Sequence, residues 1–307
     1  MTIPSLNLRR IEAFLAVFEA RNMTRAAVQL EVAQSVVTRH VAALEAQLGC
    51  RLFARTGRGV APTPAGEQLA PRLRAAIDEM QRAANEAADI GEGPSGIVRL
   101  GVVPGAARPL VGMLYQRLCE RFPRIGLQFV EGFSNPLEDQ MADGQLDLAI
   151  VNRYGRAPRR GEERLCVLES LVIGAAGMFQ PGQQLRFRQL ADYPLVLAAR
   201  PNGLRVALDQ ASRRVGVQLK VAVESDSMFI MKDLVVQAGL CTVLPRQAVH
   251  DDLAYGQLSA ARLTTPMVPR LLSLMSSSRK PGTAATRAVA REIRDIVQHT
   301  LQHTAWR

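Results

Sequence analysis

Residues 24 to 64 read TRAAVQLEVAQSVVTRHVAALEAQLGCRLFARTGRGVAPTP. The segment falls into two short stretches of helical period, a turn at Glu31-Val32-Ala33, and an Arg- and Gly-punctuated hairpin. In the first stretch Ala26, Ala27 and Leu30 share a helix face; in the second, Val37, Val41, Leu44 and Leu48 follow at steps of four, three and four. Small side chains at 26 and 27 permit a close, steep crossing, so the second helix can protrude. Its polar side carries Gln34, Ser35, Thr38, Arg39 and His40, donors and acceptors suited to base edges and phosphates. A pair of small amphipathic helices is also a common core element, and the hairpin shifts the balance. Arg51, Arg55 and Arg58 surround Thr56-Gly57 and Gly59, and Pro62 and Pro64 end the strand. Three guanidiniums on a short wing suit phosphate or the minor groove better than a core.

Outward from this stretch, Leu8, Ile11, Phe14, Leu15 and Phe18 predict a first amphipathic helix that floors the pair, and Asn22 and Thr24 offer N-cap oxygens to the second helix. Thr63-Pro64-Ala65-Gly66-Glu67 has a cap residue, Pro at the first helical position and an early acid. The helix it opens continues to about Asp89, roughly 40 Å at 1.5 Å per residue. Its stripe of Leu69, Leu73, Ile77, Met80, Ala84 and Ala87 is too long and narrow for a small winged domain to cover, and reads as a seam for a second copy. Gly91-Glu92-Gly93-Pro94-Ser95-Gly96 matches GxGxxG literally, but a helix precedes it and a strand follows, so it reads as a linker.

From Gly96 strands and helices alternate. Strands are expected at 97 to 103, 127 to 130 and 146 to 152, with helices at 108 to 122 and 135 to 144. A polar, Arg-rich crossing at 153 to 164 leads to a second set with strands near 168 to 173, 195 to 197, 218 to 223 and 242 to 244, and helices at 204 to 214 and 227 to 238. The chain closes with a strand at 270 to 276 and a helix at 283 to 301. This alternation implies βαβ units, parallel sheets, and two α/β lobes with a cleft between them. The expected divisions are a winged helix-turn-helix at 1–62, a linker helix at 63–90 and a two-lobed domain at 91–307, its first lobe from 96–164 and 267–307 and its second from 165–266.

The 307 residues carry a formal net charge of +10 and 5% aromatics. A basic balance favours a polyanionic partner, although the excess is spread along the chain; residues 1 to 62 hold 8 Arg against 4 Glu. The Arg bias over Lys fits a GC-rich coding background as well as phosphate contact. Cys50, Cys119, Cys166 and Cys241 have no metal-binding spacing and read as reduced thiols of a cytoplasmic protein. There is no apolar leader at the N-terminus and no run long enough to span a membrane.

Over nearly its full length the chain resembles the LysR-type transcriptional regulators. Ala26-Ala27, Leu30, Gln34, Leu44-Glu45, Leu48-Gly49, Leu52-Phe53, Arg55, Arg58, Thr63, Ala65 and Gly66 fall in that family's order and spacing. Pro201-Asn202-Gly203-Leu204-Arg205, Leu234-Val235, Ala238-Gly239-Leu240 and Leu244-Pro245 are weaker echoes. Arg55 to Val60 and Leu100 to Gly105 look most similar to the nitrogen-assimilation-control branch. The resemblance implies a C-terminal domain of periplasmic-binding-protein type and a homotetramer built as a dimer of dimers. It also implies pseudo-palindromic double-stranded DNA as partner, contact with RNA polymerase, and a small effector in the cleft. Where the family usually has Ser-Gln-Pro and a later Ser, this chain has Ala33, Gln34, Ser35 and Thr38. Ala33 offers no capping oxygen, a loss of about 0.5–2 kcal/mol, so the resemblance carries the docking mode and not the base preference.

The expected DNA contacts are Arg25, Gln34, Ser35, Thr38, Arg39, Arg55 and Arg58, with Arg55 also suited to bracing the wing. For a small anionic effector such as a carboxylate, the loops after strands are expected to serve. They are Pro104-Gly105-Ala106, Phe133-Ser134-Asn135, Pro201-Asn202-Gly203 and Ser227-Met228; Ser134 and Asn135 fit equally as N-caps. His299 and His303 have metal-compatible spacing but no third ligand, and no catalytic, metal or cofactor motif is found. The rival reading is a metabolite-binding or enzymatic α/β protein whose N-terminal helices only oligomerise; a regulator that needs no effector is a further alternative.

Overall fold

The computed structural model describes residues 7–56, 59–154, 158, 161–278 and 282–302, and the backbone alone at 55–56, 78–79, 81–92 and 302. The chain forms two compact units, one up to Ala84 and one from Asn85 onward.

The first unit holds α1 (Leu8–Ala20), α2 (Met23–Gln29), α3 (Gln34–Leu48), the hairpin β1 (Phe53–Thr56) and β2 (Gly59–Pro62), and the start of α4 (Pro64–Glu92). Asn7 caps α1, and the Asn22 side chain accepts from the N–H groups of Thr24 and Arg25 to cap α2. Ala26 and Ala27 are buried against Phe14, Val17, Val37, Val41 and Leu44 in one core, which is what their small size allows. Gly66 marks the tightest backbone approach: a Cβ there would collide with the Leu52 carbonyl. At Gly59, φ is +143° and a Cβ would stand 2.7 Å from the Arg21 carbonyl, so the start of β2 and the first turn of α4 both require glycine.

The expected seam of α4 is corrected in its first half. Leu73 is buried, and Leu69 and Ile77 pack on the same core, because three turns of α4 complete the winged unit rather than project from it. Met80 is the first stripe residue left exposed, at 61%. The side chains of Ala84 and Ala87 lie outside the described set.

The second unit has two lobes. Lobe I is a five-stranded sheet in the order β4 (Ile125–Glu131), β3 (Gly96–Val102), β5 (Leu148–Arg153), β13 (Arg270–Ser276), β6 (Glu162–Leu168). It is covered by α5 (Pro104–Arg121), α6 (Ser134–Ala142) and α10 (Ala284–Gln302) around one apolar core. Lobe II orders β11 (Thr242–Pro245), β7 (Ser170–Ala175), β12 (Leu258–Thr264) and β8 (Gln184–Arg186). The pair β9 (Pro194–Leu197) and β10 (Lys220–Glu224) joins it through a bridge from Leu195 to Cys241. Around these lie α7 (Gly203–Val215), α8 (Met228–Ala238) and α9 (His250–Ala254).

Two expectations change here. The sheets are mixed, not parallel: β3 runs parallel to β4 and β5, but β13 is antiparallel to β5 and to β6, and β7 is antiparallel to β11 and β12. Strand β13 returns from the other lobe and so enters against the direction of β5. The stretch expected to cross at 153 to 164 contains the start of β6, which pairs with β13 from Glu162 to Leu168, so the first crossing to lobe II follows Leu168. No helix among the described residues is long and apolar enough to cross a membrane.

Candidate nucleic-acid interface and interlobe cleft

In the first unit α3 begins without a side-chain cap: Ala33 is the N-cap residue and supplies no oxygen, and no acid stands in the first turn. Free N–H groups and the positive end of a 15-residue helix therefore face outward. Gln34, Ser35, Thr38 and Arg39 are exposed around that end, and Arg25 is exposed at the start of α2. The Thr38 hydroxyl donates to the Gln34 carbonyl at 3.0 Å, which ties it to its own helix. Among the described residues Arg25 and Arg39 have no ion-pair partner, whereas Arg21 pairs with Glu67, Arg51 with Glu45 and Arg74 with Glu19. An unpaired guanidinium keeps its full capacity for an incoming phosphate.

The wing is held by a residue that patterning did not single out. Glu45 is 8% exposed; its Oε1 accepts from the N–H groups of Leu52 at 2.8 Å and Phe53 at 3.2 Å, and its Oε2 from Arg51 at 2.8 Å. A carboxylate three residues before a helix end reads as surface in sequence; only the path of the following strand buries it. Among the described side chains Arg51 braces the wing, through Glu45. The Arg55 side chain and Arg58 lie outside the described residues, as does His303, and His299 is exposed.

In the second unit a cavity of about 360 Å³ opens between the lobes. Of the residues expected there, Pro104, Gly105, Phe133, Ser134, Asn135, Pro201, Asn202, Gly203 and Met228 line it. Ala106 and Ser227 do not: Ala106 is buried in the lobe I core, and Ser227 caps α8 by accepting from Ile230 N–H at 3.4 Å. The expected anion cradle at 104 to 106 is weaker than its sequence implied. Pro104 has no N–H, the Ala106 N–H donates to the Val103 carbonyl at 2.8 Å, and Arg108 breaks the helix one turn later. Ser134 is not the cap of α6, whose N-cap is Phe133; its hydroxyl accepts from Asn152 N–H at 2.9 Å. Asn135 donates to the Pro201 carbonyl at 3.1 Å and so spans from one lobe to the other. Asn202 spends its side-chain oxygen on the N–H groups of Leu204 and Arg205, capping α7.

The cleft also contains Tyr154, Met231, Thr242 and Arg270, which sequence patterning left unassigned. Arg270 opens β13 immediately before the run Leu271-Leu272, and a lone Arg heading a buried strand was the available signal. Its guanidinium carbon lies 5.5 Å from the Tyr154 ring centre. Burial pushes the Tyr154 phenol up from its ordinary range, and the adjacent Arg270 partly offsets this. No cysteine lines the cavity. Burial raises Cys166 to about 12 and Cys241 to about 11, while Cys50 and Cys119 are exposed. Among the described residues no group of His, Cys, Asp and Glu could hold a metal ion.

Comparison with known sequences matches residues 8–67 to the bacterial regulatory helix-turn-helix proteins of the lysR family and residues 91–298 to the LysR substrate binding domain. The nitrogen assimilation regulatory protein nac of Escherichia coli (strain K12) is 27% identical over 95% of both chains. The HTH-type transcriptional regulator BbuR of Bordetella bronchiseptica is 27% identical over 94% of this chain and 90% of that protein. Among solved structures, full-length CbnR in complex with its target DNA superposes with a TM-score of 0.72 at 17% identity, covering 96% of this chain and all of that one.

Proposed function

Since the chain belongs to the LysR family of bacterial transcriptional regulators, we propose that it reads double-stranded promoter DNA with the N-terminal end of α3 and adjusts transcription in response to a small effector held between its lobes. The observation that carries this reading is the uncapped start of α3, ringed by the exposed side chains of Gln34, Ser35 and Arg39, with Arg25 also exposed and neither guanidinium in an ion pair among the described residues. An open helix N-terminus and unpaired guanidiniums are phosphate and base-edge receptors that do no structural work. Thr38 contributes through its methyl and its helix-bound hydroxyl, and Arg55 and Arg58 on the wing complete the contact set.

Two winged units on a pseudo-palindromic site require a dimer. It forms through α4 from Met80 onward, where the stripe leaves its own core, and pairs of dimers give the tetramer. The regulator works in the cytoplasm with RNA polymerase, and its cleft senses rather than transforms its ligand. A gel shift against the DNA upstream of the protein's own gene tests the reading. Retardation that weakens steeply with salt is expected; no retardation at low salt by an intact oligomer would overturn it in favour of a metabolite-binding protein.

A further inference from the structure

Two buried polar atoms on residues that line the interlobe cavity have no hydrogen-bond partner among the described residues. Arg270 is 4% exposed; its guanidinium hydrogen-bonds the buried Tyr154 phenol, but its Nε makes no hydrogen bond, and among the described residues no carboxylate lies within ion-pairing distance of it. The other buried arginines of this unit are each doubly paired: Arg153 with Glu138 and Glu162, Arg205 with Asp209 and Glu224. A guanidinium cannot shed its proton, so its charge must be met or its burial is a standing cost. Thr242, 1% exposed, has an Oγ1 without a partner and lines the same cavity. Arg270 belongs to the lobe I sheet and Thr242 to the lobe II sheet.

We propose that Arg270 and Thr242 together receive the carboxylate of a small monocarboxylic acid with an apolar body, an assignment that rests on the cleft being the effector site. The planar fork of Arg270 matches a carboxylate, and the Thr242 hydroxyl donates a further hydrogen bond to it. Phe133, Leu197, Met228, Met231 and Leu244 supply walls for the apolar body. Asp139 and Asp226 also line the cavity but are exposed, so they stand at its solvent side. Their negative charge disfavours a second acid group on the ligand, and the preferred class is therefore a monoacid rather than a diacid. Because one receptor group comes from each lobe, the bound carboxylate ties the lobes together, which is the differential contact a closing transition requires.

The test uses full-length protein in calorimetry and thermal-shift titrations with benzoate, hexanoate and 3-phenylpropanoate, each beside its amide, and with adipate. At least one monoacid is expected to bind saturably and raise the melting temperature, with its amide and adipate each weaker by about tenfold or more. Arg270→Gln is expected to lose about thirtyfold or more in affinity, Arg270→Lys to keep part of it, and Thr242→Val to lose less than Arg270→Gln. Because Arg270→Gln also removes the hydrogen bond to Tyr154, its stability is read beside its ligand response: the rise in melting temperature on adding the monoacid should vanish in Arg270→Gln and persist in part in Arg270→Lys, an outcome a structural role for Arg270 would not give. The assignment is overturned if none of the monoacids binds wild type, or if Arg270→Gln binds them equally well. Amides binding as tightly as acids, with binding abolished by the cavity-filling Met231→Trp, would overturn the carboxylate assignment while leaving the cleft as an effector site.

Discussion

The start of α3 and the interlobe cleft are built on one device in opposite surroundings. Each presents guanidiniums that meet no carboxylate among the described residues: Arg25 and Arg39 outside, Arg270 within, where it hydrogen-bonds only the Tyr154 phenol. On the exposed surface water solvates the guanidinium and the open helix end, so leaving them free costs almost nothing. In the cleft the same omission carries a desolvation penalty that the Tyr154 phenol relieves in part and an anionic ligand would relieve further. An exposed recognition surface thus stays ready at all times, whereas a buried one couples occupancy to stability.

The largest expected departure from that comparison comes from Glu45→Ala, which removes the buried acceptor joining α3 to the wing. It strands the Leu52 and Phe53 N–H groups and should cost about 2–4 kcal/mol in the first unit, measured by urea unfolding. If stability is unchanged, the wing is not held through this carboxylate. Next come Arg39→Ala and Arg25→Ala. Each should weaken DNA binding on the order of tenfold and lower the salt slope by about one, with the melting temperature unmoved. Equal affinity and slope for both variants would remove these residues from the interface.

Smaller effects test the open helix end. Ala33→Ser should stabilise the first unit by about 0.5–2 kcal/mol with little change in DNA affinity. Ala33→Asp should match that gain yet bind DNA more weakly, because its carboxylate occupies the place of a phosphate; unimpaired binding by the Asp variant would mean the helix end does not face DNA. The smallest effect separates exposed from buried thiols. At pH 8 iodoacetamide should modify Cys50 and Cys119 in the native protein and spare Cys166 and Cys241, as peptide mass mapping would show. The sign of the linkage follows from raised pKa values. Below about pH 9 the buried thiols are protonated whether folded or not and contribute nothing. Above it the unfolded chain ionises first, and stability falls as pH climbs toward about 11 for Cys241 and about 12 for Cys166.

The elements that could be read directly are those whose signal is local. The helix pair, the wing and α4 announce themselves through apolar spacing, Gly and Pro punctuation and cap residues within a few positions of each other. Strands β8 and β12 and helix α9 do not: Leu258 to Thr264 reads LSAARLT, with little alternation, and is a strand because β7 and β8 flank it. The reversal of β13 was likewise hidden, since strand direction depends on where the chain returns from. The linker stripe misled for a related reason, because a period shows which side of a helix is apolar and not which partner covers it.

From its residues alone this chain declares a winged helix-turn-helix, a long helix and two α/β lobes, because periodicity and turn chemistry are properties of neighbours in sequence. The loops around the cleft could be named too, since ligands gather at the ends of strands. What only the tertiary structure decided is the chemistry inside it. Thr242 and Arg270 stand 28 positions apart on the sheets of different lobes, and neither residue type is informative by itself. Their burial, with the Arg270 Nε and the Thr242 Oγ1 left without a hydrogen bond among the described residues, exists only once both lobes have folded, because desolvation is set by the surrounding atoms and not by the residue.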